Sequence, residues 1–130
     1  MNEPHWLDRR VIILLHAEAL AAHGGVQGLR DAALLDSALA RPVNQYLYNP
    51  DADVAQLAAA YGFGLTKNHA FADGNKRIAF IATVLFLRRN GHRLVSEPID
   101  EIRTMLALAA GELSEEQFAT WMRSHVEPAL

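Results

Sequence analysis

Nine consecutive residues near the middle of the chain combine a base, a carboxylate, a turn and two cations. Residues 69–77 read His-Ala-Phe-Ala-Asp-Gly-Asn-Lys-Arg, and an apolar helix is predicted to begin at about Asn75. The first turn of a helix presents free backbone N–H groups and a partial positive charge, so it binds anions readily. In a purely structural helix, Lys76 and Arg77 would oppose this dipole at roughly 0.3 to 1 kcal/mol each. The pattern therefore predicts a phosphate site.

Two of these side chains suit the chemistry of phosphate transfer. The imidazole of His69 precedes the predicted helix, where it can accept a hydroxyl proton at neutral pH as a general base. The carboxylate of Asp73 offers a hard oxygen ligand to Mg²⁺, which usually takes one or two carboxylates together with waters and substrate phosphates. We interpret His69 as a candidate base and Asp73 as a candidate metal ligand.

The remaining residues of the segment suit the binding of an anion. Gly74 lets the backbone approach a phosphate closely, and the N–H groups of Gly74, Asn75 and Lys76 are expected to line the pocket. The guanidinium of Arg77 offers a bidentate fork, whereas Lys76 offers a point charge. Positioning, a metal and cations where negative charge gathers are what phosphoryl transfer needs.

Each feature alone also has a purely structural interpretation. Asp73 could be the N-cap of the helix, Asp-Gly is a common turn, and a single exposed histidine usually has no role. The six histidines of the chain show no HExxH or other metal-ligand spacing, which argues against a zinc enzyme. The combination favours the phosphate site, because the two cations lack a structural reason and His69 lies within reach.

Composition limits the class of protein. The 130 residues suffice for one domain, residues 1–130, with a core of its own, and the absence of cysteine excludes disulfides and thiolate metal sites. The first residues carry no signal-peptide pattern, and the longest apolar run, residues 78–87, is shorter than the ~20 residues of a membrane span. We expect a cytoplasmic protein without membrane association. A formal net charge of -3 and a pI of about 6.0 argue against a general nucleic-acid binder.

The fold is predicted to be all-α. Leucine and alanine recur at three- and four-residue spacing, and no run of alternating β-branched residues is found. Six helices are predicted, at about residues 4–22, 31–40, 53–67, 75–90, 98–110 and from 115 onward. Arg41-Pro42 should end the second helix, so that residues 46–50 form a loop. The helix at 75–90 is apolar nearly all round, which predicts that it lies at the centre of the others.

Two serines are predicted to cap the last two helices. Ser96 precedes the helix at 98–110, and Ser114 is followed by Gln117 three residues later, which is the pattern of a capping box.

Residues 69–77 resemble the Fic/Doc signature H-x-F-x-[DE]-G-N-[GK]-R at all seven specified positions. A lysine at position 76 is similar to the death-on-curing (Doc) branch of that family. Residues 24–31, 34–39 and 86–91 also resemble family segments, so the resemblance covers nearly the whole chain. The chain departs from the usual pattern at two places, since some Doc members have alanine in place of Gly74 and threonine is usual in place of Ile78.

The resemblance implies an all-α Fic fold and an enzyme that transfers a group from a nucleoside triphosphate to a protein hydroxyl. It implies that His69 is the base, that Asp73 binds Mg²⁺, and that the anion is bound by the residues that follow: Gly74, Asn75, Lys76 and Arg77. Doc-type proteins are similar to kinases and transfer the γ-phosphate of ATP to a threonine of translation elongation factor Tu, which inhibits translation. Most other Fic enzymes transfer AMP and carry glycine at the position of Lys76.

Regulation by a partner is also implied. Many Fic proteins carry an inhibitory helix with the pattern [ST]-x-x-x-E-[GN], and this chain has no match to it. The resemblance then implies a toxin that a small antitoxin inhibits in trans, through a segment that folds on binding. Three hypotheses stay open at this point: a Doc-type kinase, an adenylyltransferase that uses the same residues, and a non-catalytic helical module that binds a nucleotide or an antitoxin.

Overall fold

A computed structural model describes residues 3–129 and shows six helices and one small sheet. The helices are α1 (Arg9–His23), α2 (Ala32–Tyr48), α3 (Val54–Asn68), α4 (Asn75–Arg89), α5 (Pro98–Ala110) and α6 (Glu115–His125). The strands are β1 (His92–Leu94) and β2 (Val126–Pro128). The prediction of a helical fold with six helices is confirmed. No helix within residues 3–129 is both long enough and apolar enough to cross a membrane.

Helices α3 and α4 share the centre of the molecule. Helix α4 packs against α1, α3, α5 and β1, as its apolar surface predicted, but α3 contacts α2, α4, α5 and α6 and is buried over ten of its fifteen residues. Two glycines allow this close packing. A Cβ atom on Gly62 would lie 2.7 Å from the ring of Phe118 in α6, and one on Gly64 would lie 3.3 Å from the backbone of Ala38 in α2. Helix α3, which leads into the loop before α4, therefore packs closely against both α2 and α6.

Helix α2 is longer than predicted, because Pro42 does not end it. The helix continues to Tyr48, so residues 46–48 are helical and the predicted loop there is wrong. A proline inside a helix costs about 3 kcal/mol. Pro42 is buried, however, and beyond it Gln45 donates a hydrogen bond to Glu115, which also accepts two from Arg41. Burial against α3 and this contact with α6 together outweigh the unfavourable helix propensity of Pro42.

The small sheet was not predicted and is a minor addition to the helical fold. Strands β1 and β2 pair antiparallel, with His92 opposite Pro128 and Leu94 opposite Val126. Three-residue strands are too short to show alternating hydrophobicity, and their partners lie more than thirty residues apart. The sheet places the C-terminal end of α6 beside the C-terminal end of α4. The loop that contains His69 and Asp73 lies at the opposite end of α4.

The start of α1 and the N-cap of α5 also differ from prediction. Helix α1 begins at Arg9, with Asp8 as its N-cap, because the preceding residues are extended and donate to other elements: the N–H of Leu7 bonds the hydroxyl of Tyr61 at 3.0 Å. Helix α5 has Glu97 rather than Ser96 at its N-cap, since Pro98 occupies the first helical position. The capping box of Ser114 and Gln117 is present as predicted.

Candidate functional site

The signature loop runs from the end of α3 to the start of α4 between two left-handed residues. His69 has φ 53° and ψ 48°, and it is the one non-glycine residue with positive φ within residues 3–129. Gly74 has φ 74° and is the N-cap of α4. A Cβ atom there would lie 3.0 Å from Leu20 Cδ2, so glycine is favoured by both conformation and space. The interpretation of Asp73 as an N-cap is therefore wrong.

Because a glycine caps α4, the start of that helix keeps its donors. No side chain accepts a capping hydrogen bond at this end, and the N–H groups of Asn75, Lys76 and Arg77 have no acceptor among the described residues. The side chains of Lys76 and Arg77 are exposed and form no ion pair within the described part of the chain. Three free amides and two cations thus surround one point at the helix end.

The side chain of Asn75 serves the loop rather than the pocket. Its amide is buried, accepts a hydrogen bond from the N–H of Phe71 and donates one to the C=O of Phe71, both at 3.0 Å. This pair of bonds closes the loop on itself. Of the contributions predicted for Asn75, only its backbone N–H faces the anion side.

A buried histidine of α1 packs against the signature loop. His16 is 3% exposed, and its ring stacks on the ring of Phe71 with the centroids 3.7 Å apart. Its Nε2 lies 2.7 Å from the backbone oxygen of Asp73. A carbonyl oxygen only accepts, so Nε2 carries the hydrogen and donates. His16 therefore supports the loop through the ring of Phe71 and the backbone oxygen of Asp73.

The segment between α1 and α2 braces the same loop from its other side. The N–H groups of Arg30 and Asp31 donate to the C=O of Ala70 at 2.8 and 3.0 Å, and Ala72 donates to the C=O of Gly28. The guanidinium of Arg30 also donates twice to the C=O of His69, at 3.1 and 2.5 Å. These bonds hold His69 in its left-handed conformation, which otherwise costs of order 1 to 3 kcal/mol.

The carboxylate of Asp73 is exposed and fixed by backbone donors. Its Oδ1 accepts from the N–H of Gly74 at 2.8 Å and its Oδ2 from the N–H of Val26 at 3.3 Å. These two hydrogen bonds, with a smaller contribution from the charges of Arg77 and Lys76, hold the pKa of Asp73 below its usual value. The group is therefore a carboxylate at neutral pH, with lone pairs left for a cation.

All six residues predicted for the site border one cavity of about 350 Å³. The cavity lies between the ends of α1, α3 and α5 and the start of α4. Its lining is Leu20, Gly24, Thr66, His69, Asp73, Gly74, Asn75, Lys76, Arg77 and Ala109. The arrangement brings an exposed imidazole, a carboxylate, two cations and free amides to one opening, which suits an anion beside a general base.

The single carboxylate of Asp73 suits Mg²⁺, which needs few protein ligands, better than a metal that takes all its ligands from protein. No cluster of three or more potential ligands from histidine, aspartate or glutamate is found within residues 3–129. One carboxylate beside a phosphate pocket is the arrangement in which Mg²⁺ keeps most of its waters and takes the rest of its ligands from substrate.

Comparison with known proteins identifies the family. The model of the Fic/DOC family matches residues 6–87, which is more than half of the chain. The chain belongs to the Fic/Doc family. Two Doc proteins are similar to it over most of their length. "Protein kinase doc" of Escherichia phage P1 is 30% identical over 113 residues, covering 86% of this chain and 88% of the relative. "Toxin Doc" of Mycolicibacterium smegmatis is 39% identical over 94 residues, covering 71% and 69%.

Two residues that hold this Fic/Doc site were not singled out from the sequence. His16 lies four residues from both Ile12 and Leu20, on the buried face of α1, and a histidine in such an apolar stripe was the available signal. Arg30 lies in the segment that resembles the family, but nothing in its spacing indicated that it binds the backbone of His69. Both act across more than thirty residues of sequence, through contacts that only the packed structure makes.

Proposed function

We propose that this chain is a Doc-type toxin that transfers the γ-phosphate of ATP to a threonine hydroxyl of elongation factor Tu. The homology to two Doc proteins supports a Doc-type toxin of the Fic/Doc transferases, and the name of the phage relative supports a kinase activity for that relative. The observation that carries the proposal is the shared cavity of His69, the free amides of α4 and the unpaired cations Lys76 and Arg77.

In this proposal His69 accepts the proton of the target hydroxyl as its oxygen attacks the γ-phosphorus. The bond from that phosphorus to the β,γ-bridging oxygen breaks, and ADP leaves with the negative charge on its β-phosphate. The first-turn amides of α4 and the side chains of Lys76 and Arg77 stabilise the charge that gathers on these oxygens. Mg²⁺ held by Asp73 would neutralise phosphate charge in the bound nucleotide.

Lys76 is proposed to select the phosphate that is transferred. A glycine at this position would leave room for a second phosphate against the backbone, whereas the lysine stem occupies that space and supplies a point charge. Lys76 borders both the cavity and the adjoining cleft of α4 and α5, so its ammonium can reach the nucleotide at the mouth of the pocket. Kinase-like transfer is therefore preferred over transfer of AMP.

The test is transfer of label from ATP and Mg²⁺ to purified elongation factor Tu, run in parallel with γ-labelled and α-labelled nucleotide. We expect label from the γ-position only, and its loss in His69→Ala by at least the roughly 10²-fold that a general base contributes. His5→Ala is the matched control, because His5 is exposed and its recorded hydrogen bonds use only its backbone. This control should transfer label as the wild type does.

Other outcomes reject parts of the proposal. Label from the α-position would assign the chain to AMP transfer. Transfer that survives His69→Ala would exclude His69 as the base, and an inert wild-type protein that still binds ATP would favour the non-catalytic module. A cell extract incubated with γ-labelled ATP could show label on a protein other than elongation factor Tu. The kinase activity would then be retained in the proposal and its target replaced.

We further propose that a small antitoxin inhibits this activity by binding across α5 and the start of α4. Helix α5 exposes three apolar side chains on one face: Ile99, Ile102 and Leu106, each more than half exposed. Of these, Ile102 borders a cleft of about 270 Å³ that Lys76, Arg77 and Phe80 also border. An antitoxin segment with an apolar face and an acidic side chain would cover the cleft and neutralise the cations beside the cavity.

The partner is testable by expressing any small open reading frame that lies beside the gene. Its co-expression should restore growth of cells that make the toxin. Ile102→Asp should abolish that rescue, whereas Leu47→Asp, at an even more exposed apolar side chain on α2, should leave it intact. Rescue that is insensitive to Ile102→Asp would show that the antitoxin binds elsewhere.

A further inference from the structure

Thr66 is a polar residue of the cavity that the proposed chemistry does not use. It lies in the last turn of α3, three residues before His69, and it borders the cavity beside the start of α4. The residue is 5% exposed. Its Oγ1 is the one buried side-chain nitrogen or oxygen within residues 3–129 that has no hydrogen-bond partner. Buried hydroxyls are nearly always bonded, so this atom requires an explanation.

The other helical threonines show that the unpartnered state of Thr66 is not imposed by its helix. Thr83, Thr104 and Thr120 each donate from Oγ1 to the carbonyl four residues earlier, at 2.8, 2.6 and 3.1 Å. A threonine in an α-helix has this acceptor nearby as a matter of geometry. Thr66 alone among the four helical threonines leaves that bond unmade, and it alone borders the cavity. Its hydroxyl is thus a buried donor without a partner in a residue that borders the cavity.

We propose that Oγ1 of Thr66 donates a hydrogen bond to a phosphate oxygen of the nucleotide bound in the cavity. This inference rests on the proposed function and adds a buried contact to it. Lys76 and Arg77 bind the anion from exposed positions, where water competes, whereas the hydroxyl of Thr66 is shielded. A hydrogen bond to a charged oxygen in such a place is stronger than one between neutral groups. A valine would fill the same volume if packing alone mattered.

Two probes measured by calorimetry test this contact in the full chain: ATP and inorganic pyrophosphate, both in EDTA to remove metal contributions. Thr66→Val removes the hydroxyl and keeps the shape, and we expect it to weaken binding of both probes by at least about tenfold. Thr66→Ser keeps the hydroxyl and should bind both within about threefold of the wild type. Pyrophosphate carries no sugar or base, so its response assigns the contact to phosphate.

Thr83→Val is the matched control. Thr83 is a fully buried threonine of α4 whose hydroxyl is already bonded within its helix. Its replacement should lower the thermal midpoint and leave the affinity for both probes unchanged. Thr66→Val breaks no hydrogen bond of the unliganded protein, so its thermal midpoint without ligand should equal or exceed that of the wild type.

Several results would overturn the inference while leaving the proposed function intact. Unchanged affinity in Thr66→Val would remove the contact, and loss of ATP affinity with full pyrophosphate affinity would move it from phosphate to sugar or base. Weakened binding that Thr66→Ser does not restore, together with a lowered thermal midpoint, would show a packing role. The proposed function itself fails in a different way, namely if the wild type transfers no label from ATP in the presence of Mg²⁺, whereas a wild type that binds neither probe in EDTA would overturn the Thr66 contact alone.

Discussion

The replacement of Asn75 by alanine tests how the signature loop is held. The amide makes two hydrogen bonds at 3.0 Å to the backbone of Phe71 and is 5% exposed. Truncation leaves the N–H and C=O of Phe71 buried without partners, at about 1 to 3 kcal/mol for each group. With partial relaxation of the loop, we expect Asn75→Ala to lower the free energy of unfolding by roughly 2 to 4 kcal/mol.

Asn75→Asp separates the two bonds of that amide. A carboxylate still accepts from the N–H of Phe71 and sits favourably in the first turn of α4, but it cannot donate to the C=O of Phe71. Because the second carboxylate oxygen faces the carbonyl oxygen of Phe71 at a position that is 5% exposed, we expect a loss at least as large as that of Asn75→Ala. Urea denaturation at pH 7 measures both changes. Thermal midpoints should fall by roughly 3 to 5 °C per kcal/mol for a domain of this size.

Asn44→Ala is the control for this series. Asn44 is exposed on α2 and makes no side-chain hydrogen bond within residues 3–129, so its replacement should change stability by less than about 0.5 kcal/mol. If Asn75→Ala is as stable as this control, the amide does not hold the loop. If such a variant also loses ATP binding, the amide serves the ligand and not the loop.

Three further predictions concern the support and charge of the site. His16→Phe keeps a ring but loses the donor to the C=O of Asp73, and urea denaturation should show a loss of about 1 to 3 kcal/mol; no loss would mean that this bond is not needed. Gly74→Ala forces a left-handed alanine and should cost roughly 1 to 2 kcal/mol by thermal denaturation, unless the helix start relaxes to negative φ. The hydrogen bond from Arg123 lowers the pKa of Asp53 in the folded state, so this carboxylate stabilises the fold above its usual value of 3.8, and the contribution is lost as the pH falls through the lowered pKa. The stability of the wild type should therefore exceed that of Asp53→Asn at pH 6 and approach it at pH 2, and a constant difference in urea midpoint would contradict this.

Helix propensity and periodicity predicted most of the secondary structure, and the errors lie where distant contacts decide. The ends of α1 and α4 near glycines agree with the sequence, since a glycine ends or begins a helix by local backbone preference. Pro42 was expected to end α2 by the same local reasoning, yet burial against α3 and bonds to Glu115 carry the helix past it. Local rules hold until a tertiary contact of larger free energy opposes them.

The functional site likewise has features that the local sequence predicts and features that depend on tertiary contacts. The spacing of His69, Asp73, Gly74, Lys76 and Arg77 within one segment guaranteed that they would lie near one helix start, because nine residues around a turn cannot separate far. The sequence by itself therefore determined which groups meet and that they suit an anion and a base. Their signature also sufficed to predict the family, which the comparisons confirm.

Only the tertiary structure decided what holds those groups in place and which of them face the cavity. The amide of Asn75 turns inward to Phe71, and His16 and Arg30 reach the loop from segments 57 and 39 residues away. The free hydroxyl of Thr66 is likewise visible only once the packing around it is known. Sequence spacing constrains neighbours along the chain, whereas a hydrogen bond between distant segments depends on how helices pack, and local pattern carries no record of that geometry.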